Sequence, residues 1–165
     1  MSWGQTKDMG AYFKPVRAGA EVDGTAASTG DNTEVDGSWI DMQGFEGLEF
    51  IWSYTAALGS GETLDMIANV QDADDISGTG AADVSTDYLS ALASTTIATG
   101  ESGGSTETGA YSLGIDTTMC KRYVRVQWTP NLSASGTDTF KIVPLYVQTG
   151  AKYPPAHTTR TTLRA

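Results

Sequence analysis

Leu48 to Ala57, LEFIWSYTAA, is the stretch of the chain that indicates the fold class most clearly. Apolar and polar side chains alternate along it, which is the pattern of a β-strand with one buried face and one face in water. The apolar side carries Leu48, Phe50, Trp52 and Tyr54, and the other side carries Glu49, Ser53 and Thr55. Ile51 is the exception to this alternation. We predict a strand here.

A second alternating segment, Thr63 to Gln71, follows after a short polar link. Its apolar positions are Leu64, Met66, Ala68 and Val70, with Asp65, Asn69 and Gln71 between them. The link, Gly59 to Glu62, is rich in glycine. Two alternating strands joined by a short glycine-rich loop are typical of an antiparallel hairpin. We therefore predict that the two strands pair with each other.

Four further segments have the character of strands. They are Thr33 to Met42, with a turn or bulge at Asp36-Gly37, Ala110 to Ile115, Lys121 to Thr129, and Thr139 to Thr149. Pro144 lacks the N–H that a central strand donates, so it predicts an edge position or a bulge in the last of them. No apolar spacing typical of a helix extends over more than two turns. The pattern predicts an all-β fold, a single β-sandwich or jelly-roll-like domain.

The chain has 165 residues, a length that suits one well-cored domain. Residues 1–20 mix aromatic, basic and glycine residues without periodicity and predict an extended N-terminal arm. Residues 21–150 are the β-sandwich domain, with a loop-rich insert at 76–110. Residues 151–165 predict a second extended arm. Within the insert we expect at least one short strand or a single helical turn, with 82–84 and 94–99 as the candidate positions, and an exposed loop tip at 100–109.

Charge is distributed unevenly along the chain, whose formal net charge is -10. From Ala18 to Met119 there are eighteen Asp and Glu residues and no Lys or Arg, whereas the ends of the sequence are basic. Such an acidic surface repels nucleic acid, so we expect no direct DNA or RNA binding. The N-terminus lacks the apolar core of a signal peptide, and no run approaches the ~18 apolar residues of a membrane span. We expect synthesis in a cytoplasm and no membrane contact.

Residues that could support catalysis or cofactor binding are few. The only cysteine, Cys120, precedes an apolar strand and is expected to be a small, partly buried residue. The only histidine, His157, lies in a proline-rich tail without a nucleophile motif nearby. We therefore expect no catalytic residues, no cofactor and no enzyme activity. A small glycosidase or peptidase, with two carboxylates from distant strands, is the weaker alternative.

An acidic cluster and three tryptophans are the other candidates for binding. Asp72, Asp74 and Asp75 offer the hard oxygen ligands that Ca²⁺ prefers, but their spacing is not that of an EF-hand loop. A solvated turn is the favoured interpretation, and the three aspartates are only a weak candidate metal site. Trp39, Trp52 and Trp128 lie in strand patterns, so packing in the core is expected for all three.

Five segments in a fixed order resemble a known group of virion proteins. They are Trp39 to Tyr54, Val70 to Asp75, Ala82 to Val84, Tyr111 to Ile115 and Lys121 to Val126. Together they resemble the β-sandwich accessory head proteins of tailed bacteriophages, called decoration or cement proteins. The resemblance spans about residues 35 to 148 and includes neither arm. It carries no catalytic motif, so no residue roles are transferred.

The resemblance implies a structural virion protein that binds the outside of a tailed-phage head and ties capsomers together. Its partner would be the major capsid protein, and the chain would form a homo-oligomer, with a trimer favoured. The alternative is a tail or head-fibre component that binds host surface glycans, which predicts a cluster of solvent-facing Trp or Tyr. The arm residues expected to contact partners are Trp3, Lys7, Tyr12, Phe13, Lys14, Arg17, Tyr153, Arg160 and Arg164.

Overall fold

The computed structural model describes residues 12–84, 92–134 and 136–152, which form eleven strands. In chain order they are β1 (Lys14–Arg17), β2 (Val22–Thr25), β3 (Val35–Asp36), β4 (Ile40–Asp41), β5 (Gly47–Leu58), β6 (Thr63–Ala73), β7 (Ala82–Asp83), β8 (Leu92–Thr99), β9 (Ser105–Asp116), β10 (Tyr123–Leu132) and β11 (Thr139–Thr149). This part of the chain contains no helix of the length and apolarity needed to cross a membrane.

The strands form two antiparallel sheets packed face to face, which confirms the predicted β-sandwich. In sheet A, β11 and β5 are central, β9 is one edge, and β1 and β2 pair in succession along the other side of β11. In sheet B, β10 and β6 are central, with β3 and β4 beside β10 and with β7 and β8 beside β6.

The core between the sheets is built around aromatic rings. The ring centroid of Phe50 lies 4.5 Å from that of Trp52, 5.1 Å from that of Trp128 and 5.2 Å from that of Tyr146. All four side chains are buried. Burial of a large apolar side chain stabilises a fold by about 1.5–3 kcal/mol relative to leaving it exposed, so this cluster is a main source of cohesion between the sheets. The expected core positions of Trp52 and Trp128 are confirmed.

The predicted hairpin between the two alternating segments is wrong. β5 pairs with β11 and β9 in sheet A, whereas β6 pairs with β10, β7 and β8 in sheet B. The Gly59 to Glu62 link therefore crosses from one sheet to the other. Alternation shows that a strand buries one face, but both sheets of a sandwich bury a face in the same core. The pattern alone cannot distinguish a hairpin from such a crossing.

Pro144 is neither at a sheet edge nor at a bulge, contrary to the prediction. It lies in the middle of central β11, opposite Trp52, in an uninterrupted register with β5. Its other side faces the break between β1 and β2, where its carbonyl accepts a hydrogen bond from the Ala18 N–H at 3.4 Å. The missing proline N–H therefore falls where the neighbouring row of the sheet is interrupted, so no ladder bond is lost there.

Two boundaries of the sequence interpretation change. Lys14–Arg17, within the predicted N-terminal arm, is β1 and pairs with the chain's own β11. In the loop-rich insert, both candidate positions are strands, β7 and β8, but only the first part of the predicted loop tip is a turn. β9 begins at Ser105 and pairs with β5 over its whole length. An edge strand is held by backbone hydrogen bonds and needs few apolar side chains, so its polar composition resembled a loop.

Candidate interaction surfaces

Both ends of the described domain leave the sandwich at the same place. Lys14, at the start of β1, lies opposite Gln148, near the end of β11. Because the two strands are antiparallel, the chain enters sheet A beside the point where it departs. The Lys152 N–H donates to the Gly44 carbonyl at 2.9 Å, which holds the departing chain against the loop before β5. The predicted terminal arms are therefore attached side by side.

The structure describes four of the predicted arm residues. Tyr12 is 41% exposed, Phe13 and Lys14 are half-buried, and Arg17 is exposed, with its Nε donating to the Gly19 carbonyl at 2.7 Å. They lie within six residues of one another, before and along β1. The other predicted partner-binding residues, Trp3, Lys7, Tyr153, Arg160 and Arg164, lie outside the described residues, as does His157.

An open concavity of about 350 Å³ lies at the end of the sandwich where the termini leave. Three cations line it, and each has an acidic partner. Lys121 Nζ lies 2.9 Å from Asp74, and Lys152 Nζ lies 3.6 Å from Glu46. Arg122 donates two hydrogen bonds to Asp41, at 2.8 and 2.6 Å. The positive charge is neutralised locally, so the concavity is not a ready anion site.

Cys120, the predicted small and partly buried residue, lies beside this concavity and is half-buried. Burial, together with the negative charges of Asp72 and Asp116, raises the pKa of its thiol to about 11. Each of these effects disfavours the thiolate, which is the reactive form of cysteine. The thiol is therefore suited to packing and not to nucleophilic chemistry.

The aspartates of the candidate metal site are engaged by the protein. Asp72 accepts the Lys121 backbone N–H at 3.0 Å, and Asp74 pairs with the side chain of the same lysine. Asp75 accepts the backbone N–H groups of Ser77 and Thr79, and hydrogen bonds from Thr79 lower its pKa most. Within the described residues no group of three or more His, Cys, Asp or Glu side chains is arranged to hold a metal ion. These carboxylates order the turn after β6.

Arg125 organises the outer face of sheet B. Its Nε and Nη2 donate to Gln71 Oε1 at 2.9 and 2.8 Å, and its Nη1 lies 2.9 Å from Asp36. The guanidinium carbon lies 4.7 Å from the centre of the Trp39 ring, in a cation–π arrangement. Only 17% of the arginine side chain is exposed. Arginine suits this position because its planar group stacks on a ring while donating within its plane.

Amides extend this network across the face. Gln127 Nε2 donates to Asp36 at 2.7 Å and to Glu34 at 3.0 Å. Asn69 and Gln71 both donate to Asp83 Oδ1, at 2.7 and 2.8 Å, and these bonds lower the Asp83 pKa. These carboxylates thus accept hydrogen bonds from side-chain amides on neighbouring strands. The polar groups of this network are therefore largely paired within the protein.

The placement of the tryptophans bears on glycan binding. Trp52 and Trp128 are buried, which counts against the predicted cluster of solvent-facing rings. Trp39 differs from its expected core position, because it lies half-buried on the outer face of sheet B under Arg125. A β-carbon on Gly78 would lie 2.6 Å from Trp39 Nε1, so the turn after β6 covers the edge of the ring. The ring is thus covered by the protein on two sides.

The outer face of sheet A has a different character, which the sequence analysis missed. Val143 is 48% exposed, and Leu145 and Val147 follow it on the same face of β11. Ile51, the exception to the alternation in β5, lies directly opposite Leu145. The signal was present, because β11 is apolar at consecutive positions and its inward face needs only every second one. Ile51, Val143, Leu145 and Val147 are called the apolar patch below.

Comparison with known proteins places the chain in no family. No family model and no curated protein matches the sequence. Similar solved structures include that of the infectious bursal disease virus Gx strain, at 12% identity and a TM-score of 0.43, covering 87% of this chain and 34% of that one. The VP2 subviral particle of the same virus has 14% identity and a TM-score of 0.40, covering 85% and 32%. This chain thus spans about a third of those chains.

A pilus protein is also similar in structure. The Bacillus endospore appendages, described as disulfide-linked pili, have 13% identity and a TM-score of 0.33, covering 86% of this chain and 91% of that one. With TM-scores below 0.5, these similarities carry no argument about the role of the chain.

Proposed function

We propose that this chain is a non-catalytic structural protein of a virion, a capsid decoration or cement protein on the outside of a tailed-phage head. The observation that carries the proposal is the register of β1 on β11, in which Lys14 lies opposite Gln148. Both terminal segments leave the same end of the sandwich, so both can contact the same partner surface. Their basic and aromatic residues supply the contacts, and the major capsid protein is the proposed partner.

The two outer faces fit such a role. Sheet B presents a polar network whose groups bind one another, which suits the side of a decoration protein that meets solvent. Sheet A presents the apolar patch, which suits contact with protein. The chain would be made in the bacterial cytoplasm and act on the capsid surface as a homo-oligomer. Several weak attachments then act together, because binding of one terminal segment raises the effective concentration of the next.

Occupancy of capsids by truncated chains tests this proposal. Removal of residues 1–11, of 153–165, or of both leaves every described strand intact, since β1 begins at Lys14. Capsids lacking the protein are mixed with each chain, and bound protein is counted after sedimentation. We expect each single deletion to weaken binding and the double deletion to reduce it by more than tenfold. Unchanged occupancy after the double deletion would contradict attachment through the termini.

A matched control distinguishes attachment through the basic side chains of the termini from attachment through their aromatic side chains. The chain with Lys7, Arg160 and Arg164 all changed to Gln keeps the length and aromatic residues of both termini. If cationic contacts dominate, it should bind as weakly as the double deletion, and binding of the unaltered chain should weaken steeply with added salt. Retained binding would assign attachment to Trp3 and Tyr153, the aromatic residues that the double deletion removes. Thermal unfolding of every variant checks that the sandwich is unchanged.

A further inference from the structure

The four sheet edges formed by the described residues differ in how well they are protected. Three of them are interrupted or short: β1 and β2 have four residues each, β3 and β4 have two each, and β7 has two while β8 has shifted register against β6. β9 has twelve residues in an uninterrupted register with β5. It contains no proline, lysine or bulge. Long regular edges of this kind pair with other chains unless they are protected.

The register shows which backbone groups of β9 point outward and have no partner among the described residues. The Pro144 carbonyl points away from β5, toward Ala18, so the odd-numbered residues of β11 are the ones that bond to β5. In β5, the backbone N–H and C=O groups of the even-numbered residues then point toward β9. They bond to the odd-numbered residues of β9, which lie opposite them. The N–H and C=O groups at the open edge therefore belong to Thr106, Thr108, Ala110, Ser112, Gly114 and Asp116.

We propose that β9 pairs with β9 of a second copy of this chain, antiparallel and about a two-fold axis at Tyr111. This register places Ala110 opposite Ser112, Thr108 opposite Gly114 and Thr106 opposite Asp116. All six outward-facing residues of each strand then take part, which gives about twelve hydrogen bonds. Sheet A becomes one continuous sheet across the two copies.

A second copy of this chain is the favoured partner because its β9 edge matches this one in length and regularity. Only another β9 offers an equally long, uninterrupted edge among the described strands. The register also places no acid opposite another acid, although each chain has a net charge of -10. Asp116 lies opposite Thr106 and Glu107 lies opposite Ile115, so no two acids face each other across the axis. The side chains that point outward from the joined sheet are small, so they do not crowd.

Tyr111 is the residue that the pairing explains best. It is half-buried, and its ring centroid lies 5.9 Å from that of Trp52 at the margin of the core. At the two-fold axis the two Tyr111 residues form a pair without hydrogen bonds between their backbones, the type in which side chains lie closest. Pairing would remove both rings from water. The axis is perpendicular to the sheet, so both apolar patches lie on the same side.

The mass of the full chain in solution tests the pairing. One chain has a mass of 17.4 kDa, so we expect a species of about 35 kDa at about 50 µM, measured by sedimentation equilibrium or light scattering. Hydrogen exchange should show protection of the amides of the even-numbered residues from Thr106 to Asp116. A monomer at every concentration overturns the proposal. So does a trimer, because a two-fold contact through a single edge closes at two copies.

Two variants test whether the copies pair through β9 or through another surface. Ala110→Pro removes an outward N–H while leaving the bonds of β9 to β5, and Ala110→Thr is its matched control. The double variant T108K/S112K places lysines on the outer face of the edge without altering the core, which keeps the test valid if the proline variant fails to fold. Ala110→Pro and T108K/S112K should have the mass of one chain, and Ala110→Thr should remain paired.

A dimer that survives both Ala110→Pro and T108K/S112K would assign the contact to another surface and overturn the pairing through β9. The pairing does not depend on a virion role. Capsid occupancy of the truncated chains and the mass of the free protein are separate measurements, so either proposal can fail without the other.

Discussion

The hydroxyl oxygen of Tyr146, on β11 of sheet A, accepts a hydrogen bond from the backbone N–H of Val126, on β10 of sheet B, at 2.9 Å. The row of sheet B beyond β10 is interrupted between Asp36 and Ile40. Gly37 in this interruption bonds to the Val126 carbonyl but leaves the Val126 N–H without a strand partner. A side chain from the opposite sheet thus completes the hydrogen bonding of sheet B.

Tyr146→Phe should destabilise the domain by about 1–3 kcal/mol. The change removes the hydroxyl and leaves a buried N–H without an acceptor, and an unsatisfied buried donor costs that much. The free energy of unfolding in urea measures the effect. Tyr123→Phe is the control, since its hydroxyl has no hydrogen bond recorded within the described residues and it lies outside the proposed pairing, and it should change stability by less than about 0.5 kcal/mol. Equal effects of the two changes would contradict a stabilising role for the hydrogen bond between Val126 and Tyr146.

Gly37→Ala should destabilise the domain by about 1–3 kcal/mol through overpacking. A β-carbon there would overlap the Tyr146 hydroxyl and lie 2.5 Å from the Val126 carbonyl oxygen. Either the tyrosine or the strand must move, and the bond between the sheets weakens. Gly136→Ala is a suitable comparison, because no atom lies within 4 Å of its added carbon. Urea unfolding of both variants tests this, and a tolerated alanine at position 37 would be unexpected.

The sequence predicted those features that depend on local alternation. The buried faces of β5, β6 and β10 follow from the periodicity around Trp52 and Trp128, because each strand must turn one face toward a core. The sheet to which each strand belongs did not follow, since β5 and β6 bury faces in the same core from opposite sides. β9 was missed over Ser105 to Gly109 because pairing through the backbone leaves no side-chain pattern.

The candidate surfaces were less predictable for the same reason. The polar network around Arg125 joins residues from β3, β6, β7 and β10. These strands are far apart in sequence, so the spacing of residues along the chain does not indicate the network. The position of Trp39 depends on the turn between β6 and β7, which covers the edge of its ring. The apolar patch did leave a signal, in Ile51 and in the consecutive apolar positions of β11. Prediction of a partner surface from sequence requires attention to such surplus apolar residues.

Cys120 should react slowly with alkylating reagents in the folded protein. Burial first, and then the charges of Asp72 and Asp116, raise the pKa of its thiol from 9.0 to about 11. A rise of this size lowers the thiolate fraction near pH 8 by about a hundredfold, and the thiolate is the reacting form. The rate of iodoacetamide labelling should therefore be about a hundredfold lower in buffer than in urea, and should rise up to about pH 11. Similar rates in the two solvents would contradict the assigned environment.

Acid should destabilise the domain partly through Asp41. The hydrogen bond from Arg122 is the main cause that lowers the pKa of this carboxyl below its ordinary value. A carboxyl with a lowered pKa in the folded state stabilises the fold at pH values above its unfolded pKa, about 3.9, and this contribution is lost as pH falls through the folded pKa. Because the pair is partly exposed, the contribution is below about 1 kcal/mol.

Asp41→Asn isolates this contribution, since asparagine does not titrate. Unfolding free energies measured between about pH 7 and pH 2.5 should fall less steeply for the variant than for the unaltered chain, with the difference confined to the region below about pH 4. Glu101→Gln serves as the reference, because it removes one acidic charge from an exposed turn and no ion pair recorded among the described residues. The carboxyls of Glu21, Asp75, Asp83 and Asp116 also have lowered pKa values, so acid sensitivity should persist in Asp41→Asn at reduced slope. If the Asp41 and Glu101 variants had the same slope, the dependence would arise from net charge and not from the pair with Arg122.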